Sequence, residues 1–331
     1  MEERGGFAVA LVQSGFVPED YASAEAFARK VQTLAARALS GPHPPALIAF
    51  PELTGMWLPL LEAHPASTLL GLALSHIRRR PLAAARSLLA GRGISFPFLA
   101  DWRRHLEQWI EPFRRVAIRH ALYVCPGSTF LPRMERNATR DWELGGRGVY
   151  NTACLINPHG RLLALTRKAY LTPEERRLGI RSGSALELEP VHTELGRIGI
   201  LICLDGFHET LVSRMDGRGA RILIQPSANP VPWDAVLVNG RWRPAGSGEH
   251  GLSQREQWLA QGIGSLIQGS ENIRYALNPM SVSRVLGHED EGQSSVFRNA
   301  AGTSPSQRGP YPGMVALAGS HDREEILRAE L

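Results

Sequence analysis

Three residues of different chemistry each stand just past an apolar run. Ala46–Phe50 leads into Pro51 and Glu52, the stretch RLLALTR ends on Lys168, and RIGILI ends on Cys203. In open α/β proteins, chemistry gathers where strands end and loops leave a rigid sheet. The three side chains also form a workable set. A thiol becomes a nucleophile once a base takes its proton or a cation lowers its pKa. A carboxylate in an apolar site has a raised pKa and moves protons near neutrality. A lysine ammonium stabilises an oxyanion as it forms. Each residue alone has a plainer reading: a small buried hydrophobe for Cys203, a helix cap for Glu52, a surface cation for Lys168. Cys125 and Cys154 fall within strand-like runs, and the plainer reading holds for both.

Composition bears on Lys168. Of 37 basic residues only two, Lys30 and Lys168, are lysine. Where arginine replaces lysine so freely, a retained lysine marks a place that arginine does not suit. Lys30 lies off an apolar helical stripe and reads as a solvated surface residue. The 331-residue chain has net charge +5, with 43% hydrophobic and 21% charged residues, which excludes a disordered or collagenous chain. A single domain over 1–331 is expected. The charge is uneven: Arg78 to Arg119 holds ten arginines against Asp101, Glu107 and Glu111, a net of +7, so the remainder carries −2. No nucleic-acid motif accompanies this basic stretch. Three cysteines, with no Cys-x-x-Cys and no histidine pair at helical spacing, argue against a disulfide scaffold or a metal centre. They favour a reducing, cytoplasmic setting. Met1–Phe7 is charged and unlike a signal peptide, and the apolar stretch Pro65–Ser75 is too short to span a bilayer. Asn137-Ala138-Thr139 fits a glycosylation acceptor, which means nothing in a cytoplasmic protein.

The elements that must position these residues follow from periodicity. Phe7–Val12 and Ala46–Phe50 read as buried strands. Between them Ala24, Phe27, Val31, Leu34 and Ala38 mark one face of a helix that Gly41-Pro42 ends. Strands are predicted at Ala121–Cys125, Thr152–Asn157, Leu162–Thr166, Arg197–Ile202, Ile222–Gln225, Ser265–Gln268, Tyr275–Asn278, Ser294–Phe297 and Met314–Ala318. Pro158-His159-Gly160 joins the second and third of these as a hairpin. His208–Asp216 and Ser253–Gly262 fit helices, and Pro230–Gly251 reads as a long loop. Short strands mixed with helices and hairpins suggest an α/β sandwich rather than a strictly parallel barrel.

The blocks around the three residues resemble the nitrilase superfamily, the carbon–nitrogen hydrolases. FPELTG (50–55), NTACLINPHGRLLALTRKAYLTPEE (151–175) and IGILICLDGFHETL (198–211) carry the likeness in the order Glu, Lys, Cys. Later blocks extend it: ILIQPSANP (222–230), GSENIRYALNP (269–279) and GQSSVFRNAAG (292–302). The resemblance implies an αββα sandwich, four layers formed once two subunits pack together, and hence a homodimer or larger assembly. It implies an amidase-like hydrolase of non-peptide carbon–nitrogen bonds that needs no cofactor and no metal. Glu52 would be the general base, Cys203 the nucleophile, and Lys168 with the backbone N–H of Leu204 the oxyanion holders. Glu175, or its neighbour Glu174, matches a second glutamate that positions the reacting groups.

The chain also departs from the family pattern. Cys203-Leu204-Asp205 lacks the Trp-Glu that follows the nucleophile in true nitrilases, and the aspartate leans toward amide or carbamoyl substrates. His208 stands where proline is common. An insertion at about 60–115 separates Glu52 from Lys168 by 116 residues. In it Trp102, Leu106, Trp109, Ile110 and Phe113 recur at helical steps opposite a basic face, and the expectation is a helix packed on the body. Membrane-surface contact, a lid and a subunit contact are the other readings of this segment. The rivals in function are nitrile hydrolysis, acyl transfer to an amine or lipid, and a pseudoenzyme that keeps the fold as a binding module.

Overall fold

The structure, a computed structural model, describes residues 6–61, 101–136, 142–244, 251–300 and 311–331. Two mixed sheets form its centre. The first has seven strands. Ala8–Gln13, Leu47–Ala49 and Tyr123–Cys125 run parallel at its middle, flanked by Glu325–Glu330 on one side and the long hairpin Ser128–Arg136/Trp142–Ile156 on the other. Leu162–Arg167 also pairs with Trp142–Ile156, which makes the predicted hairpin across Pro158-His159-Gly160. The second sheet has six strands. Gly196–Ile200, Ile222–Ile224 and Tyr275–Asn278 are parallel in its centre, and Ser295–Arg298, Met314–Leu317 and Val191–Thr193 are antiparallel at its flanks.

The period-two alternation of strands sorts side chains into two cores. Ala10, Val12, Ile48, Phe50 and Val124 point to one face of the first sheet, against Phe27, Val31 and Leu34 of the helix Ala24–Leu39. Trp109, Ile110 and Phe113 of the helix Trp102–His120 join them. Val9, Leu11, Leu47, Ala49 and Leu155 point the other way and meet Ile198, Ile200, Ile222 and Leu277 of the second sheet. Leu211, Met215 and Leu259, from the helices Glu209–Gly217 and Gln254–Ala260, belong to the same core. The αββα sandwich is therefore present, with one correction: all four layers come from a single chain, because both faces of both sheets are covered within it.

Sequence and structure also part elsewhere, and the strands Ser128–Arg136 and Val191–Thr193 are additions to those predicted. Ser265–Gln268 is not a strand but lies in and beyond the short helix Ile263–Leu266. Ile263 and Ile267, four residues apart, are both buried, and a short apolar run does not itself distinguish strand from helix. Pro230–Gly251 is not a bare loop. Val236–Val238 and Arg241–Arg243 form a hairpin, and Leu252–Ser253 adds a third strand. Asn239 and Gly240, with φ of 48° and 74°, supply the two-residue turn such hairpins favour. Glu325–Glu330 escapes the pattern because its sequence EILRAE mixes charge with apolar residues. Finally, Lys30 is not a free surface cation but a partly exposed, paired one: its Nζ lies 2.7 Å from Glu324 and 3.8 Å from Asp20.

The helix Trp102–His120 packs on the body as expected. Trp102, Leu106, Trp109, Ile110 and Phe113 are buried, while Arg103, Arg104, Arg115 and Arg119 face outward. The rest of the segment expected to be an insertion, residues 62–100, lies outside the described residues, as does Asn137-Ala138-Thr139. Among the described residues no helix is long and apolar enough to cross a membrane.

Candidate active site

Glu52 leaves the strand Leu47–Ala49 through a tight turn. Leu53 adopts φ 60°, and its N–H donates to Ser128 Oγ at 3.0 Å, while Thr54 Oγ1 donates to Pro51 O at 2.7 Å. Gly127 has φ 78° and lies so close that a Cβ there would sit 1.8 Å from Pro51 O, so no other residue fits this turn. Glu52 is fully enclosed and accepts from three directions. Lys168 Nζ donates to Oε1 at 2.7 Å, Asn151 Nδ2 to Oε1 at 2.8 Å, and the Ala228 N–H to Oε2 at 3.1 Å. It caps no helix.

Lys168 follows Leu162–Arg167, and its backbone N–H donates to Asn151 O at 2.9 Å across the hairpin. Its side chain is 1% exposed. Glu175 comes from the next turn. Thr172 caps the helix Pro173–Arg177 and Glu175 completes a capping box, with the Thr172 N–H donating to Glu175 Oε2 at 2.9 Å. That same oxygen is 3.0 Å from Lys168 Nζ. Glu174, by contrast, is exposed and pairs with Arg177.

Cys203 arrives from the second sheet. Past Gly196–Ile200 the chain makes a 3-10 turn, Cys203–Phe207, and Cys203 takes φ 49°. For a residue with a Cβ this left-handed conformation costs about 1–2 kcal/mol. It is held there on both sides: its N–H donates to Pro226 O at 2.9 Å and its carbonyl accepts from Gln225 Nε2 at 2.7 Å. The thiol donates to Ala228 O at 3.6 Å, and the Glu52 carboxylate acts on it from nearby. Leu204 is the second residue of the turn, so no carbonyl inside the turn can accept from its N–H.

Burial dominates the electrostatics. It raises the Glu52 carboxyl above its usual 4.5, with Lys168 opposing and Glu175 reinforcing the rise. The Cys203 thiol is pushed well above its usual value, first by burial and then by the Glu52 charge. Burial alone would lower Lys168, but Glu52, Cys203 and Glu175 together hold it upward, as a firm cation. A second negative charge in this enclosure is costly, so Glu52 and Cys203 behave as one pair sharing a proton. Moving the proton from thiol to carboxylate leaves the net charge of the cluster unchanged.

Two contributors, Asn151 and Ala228, went unread in the sequence, and the contacts of a third, Asp205, did too. Asn151 donates through Nδ2 to Glu52 Oε1 and Glu175 Oε1, 2.8 Å each, and so holds together two carboxylates that repel. Its signal was present: Thr152 pairs with Arg167, so Asn151 must lie beside Lys168. Ala228 contributes only backbone atoms and has no side-chain signal. Asp205 is fully buried, and its carboxylate accepts from the N–H groups of Ala169 and Tyr170, so any influence on substrate passes through the backbone that follows Lys168. Among the described residues no group of three or more His, Cys, Asp or Glu side chains is arranged to hold a metal ion.

The profile of the carbon–nitrogen hydrolase family matches residues 8–249. A stretch of 111 residues, 30% of this chain, is 32% identical to deaminated glutathione amidase of Mus musculus, and it spans only 34% of that relative's length. The Homo sapiens protein of the same name is likewise 32% identical over 111 residues, spanning 33% of its length. Solved structures share the fold across nearly the whole chain. A carbon–nitrogen hydrolase of Helicobacter pylori superposes with a TM-score of 0.62 at 17% identity, covering 98% of this chain and 88% of that chain. An amidase of Nesterenkonia sp., in complex with acrylamide, gives 0.58 at 16% identity, covering 100% and 93%. A nitrilase-superfamily member of Saccharomyces cerevisiae gives 0.58 at 19% identity, covering 98% and 90%.

Proposed function

Because the chain belongs to the carbon–nitrogen hydrolase family, we propose that it hydrolyses the amide or carbamoyl bond of a small molecule through a thioester on Cys203. The observation that carries this reading is the buried cluster in which Lys168 Nζ stands 2.7 Å from Glu52 and 3.0 Å from Glu175, with the Cys203 thiol in reach of Glu52. Cys203 Sγ attacks the carbonyl carbon while its proton passes to Glu52. The carbonyl oxygen becomes an oxyanion between Lys168 Nζ and the Leu204 N–H. An ammonium has three N–H donors; two are engaged by the glutamates, and the third meets the oxyanion. Glu52 then gives its proton to the departing nitrogen, which leaves as amine or ammonia. In the second half Glu52 takes a proton from water, the resulting hydroxide attacks the thioester, and the thiolate leaves. That thiolate recovers its proton from Glu52, and the carboxylic acid product is released. Glu175 and Asn151 keep Lys168 and Glu52 aimed throughout.

Leu204 in place of tryptophan favours amides over nitriles, and the amidase name of the partial relatives agrees. Three free thiols, all buried, favour a reducing, cytoplasmic setting. The test is to incubate the protein with a mixed library of small amides and nitriles, quench with acid and weigh the chain. An acyl adduct on Cys203 with release of amine or ammonia is expected. No adduct and no release from any member, while the folded protein is intact, overturns the reading.

A further inference from the structure

The nucleophile and the oxyanion cation stand on different sheets. Lys168 ends a strand of the first sheet, and Cys203 follows a strand of the second. Their separation must hold to a fraction of an ångström for an oxyanion to reach both Lys168 and the Leu204 N–H. The structure contains a direct tie across this gap. Asp205, two residues past the nucleophile and in the same 3-10 turn, receives the Tyr170 N–H at 2.7 Å and the Ala169 N–H at 3.1 Å. Ala169 and Tyr170 are the two residues that follow Lys168. A second link joins the same two segments farther out: the Tyr170 and His208 rings stack with centroids 3.4 Å apart and planes 12° from parallel. His208 closes the turn that begins at Cys203.

We propose that Asp205 is a positioning residue that locks the Lys168 loop to the nucleophile turn, and that it does so only as the carboxylate. A carboxylate offers acceptors alone, which suits two converging N–H donors. A protonated carboxyl must turn one O–H donor toward them or away, and the tie loosens. Burial raises the Asp205 carboxyl to about 7, against the opposing pull of the Tyr170 and Ala169 N–H groups. The groups around it are Lys168 and Glu52 inside the site and His208 and Tyr170 on the two linked segments. Protonation near neutrality therefore weakens the tie, and turnover falls on the acid side for a reason separate from Glu52. This inference rests on the amide-hydrolysis reading above.

The experiment compares two reactions of Cys203. Alkylation by iodoacetamide needs the thiol and Glu52 but builds no oxyanion. Amide turnover needs Lys168 placed as well. In Asp205→Asn the near-isosteric amide keeps one acceptor but sets an NH2 group where Oδ2 shares the Ala169 N–H, donor against donor. We expect kcat for an amide identified by the library to fall about 10- to 100-fold. KM should change little, and the Cys203 alkylation rate should stay within about threefold of wild type. The wild type offers a second measurement without a variant: from about pH 8 to about pH 6, turnover should fall more steeply than alkylation, whose own acid limb is set by Glu52 alone. Asp205→Asn should lack that extra fall. Equal losses in alkylation and turnover, in the variant or in the wild-type profile, indicate a merely structural role and overturn the proposal. So does a variant with wild-type kcat. A wild type that turns over no amide is a different result, and it overturns the hydrolase reading instead.

Discussion

The Nζ of Lys168 lies 2.7 Å from Oε1 of Glu52, across 116 residues of sequence and with both side chains almost wholly buried. Glu175 closes on the same nitrogen from the other side at 3.0 Å. Lys30, the other lysine, is also set between two carboxylates, 2.7 Å from Glu324 and 3.8 Å from Asp20. What separates the two is enclosure: the Lys30 side chain is 20% exposed and that of Lys168 is 1%. A compact ammonium fits between two buried oxygens where a planar guanidinium has neither the room nor the geometry.

This contrast makes the first prediction. Lys168→Arg should lower kcat by about 10²- to 10³-fold, since the displaced cation no longer meets the oxyanion. Lys30→Arg should leave kcat unchanged and alter stability by less than about 1 kcal/mol, because a partly exposed ion pair contributes little. Steady-state release of ammonia or amine and chemical denaturation check the two. Equal, small losses in both variants would remove enclosure as the reason lysine is kept at 168.

Glu52, Lys168 and Cys203 were legible because each combines a reactive type with a place just past an apolar strand, and that place survives folding. The stripe from Trp102 to Phe113 was legible because a helix that covers a sheet must bury one face. Other parts were hidden for physical reasons. Ala228 acts through its backbone, which no side chain announces. Asp205 was read only as a hint toward amide or carbamoyl substrates, yet its carboxylate is spent on two backbone N–H groups, and only the meeting of two sheets brings them together. Lys30 was misread because its partner Glu324 lies nearly three hundred residues away in sequence, beyond the reach of helical periodicity. Glu174 and Glu175 could be told apart in principle: Thr172-Pro173-Glu174-Glu175 spells a capping box, which turns the second glutamate inward.

Asn151 gives a prediction in which shape and charge point opposite ways. Its Nδ2 donates to both Glu52 and Glu175, so it separates two carboxylates with a donor. Asn151→Asp preserves shape but adds a third carboxylate to the enclosure, and should destabilise by at least about 3 kcal/mol near neutral pH. Asn151→Ala removes the bridge without adding charge and should cost less. The new aspartate's folded pKa would stand above its unfolded value, so the unfolded state binds fewer protons and the loss should grow from about pH 4 to about pH 8. Chemical denaturation at several pH values decides it. If Asn151→Ala is the less stable of the two, packing rather than charge governs this position.

The last prediction concerns which thiol reacts, and when. Burial holds all three cysteines protonated near neutrality, with Cys125 raised to about 12 and Cys154 and Cys203 also raised. Of the three, only Cys203 has a neighbouring carboxylate, Glu52, to take its proton, and Cys125 and Cys154 are fully enclosed in strands. Iodoacetamide should therefore label Cys203 first, by at least about 100-fold over the other two, and Glu52→Gln should remove most of that advantage. The sign of the pH dependence follows from the base. The reactive form has Glu52 ionised and the thiol protonated. Acid converts Glu52 to its neutral form, and burial moves that conversion above the ordinary 4.5. Labelling should thus begin to fail at a higher pH than an exposed glutamate would set, and the limb should vanish in Glu52→Gln. Peptide mapping after timed labelling reads both effects. Equal labelling of the three thiols, or an unchanged rate in Glu52→Gln, would show that Glu52 is not the base for Cys203.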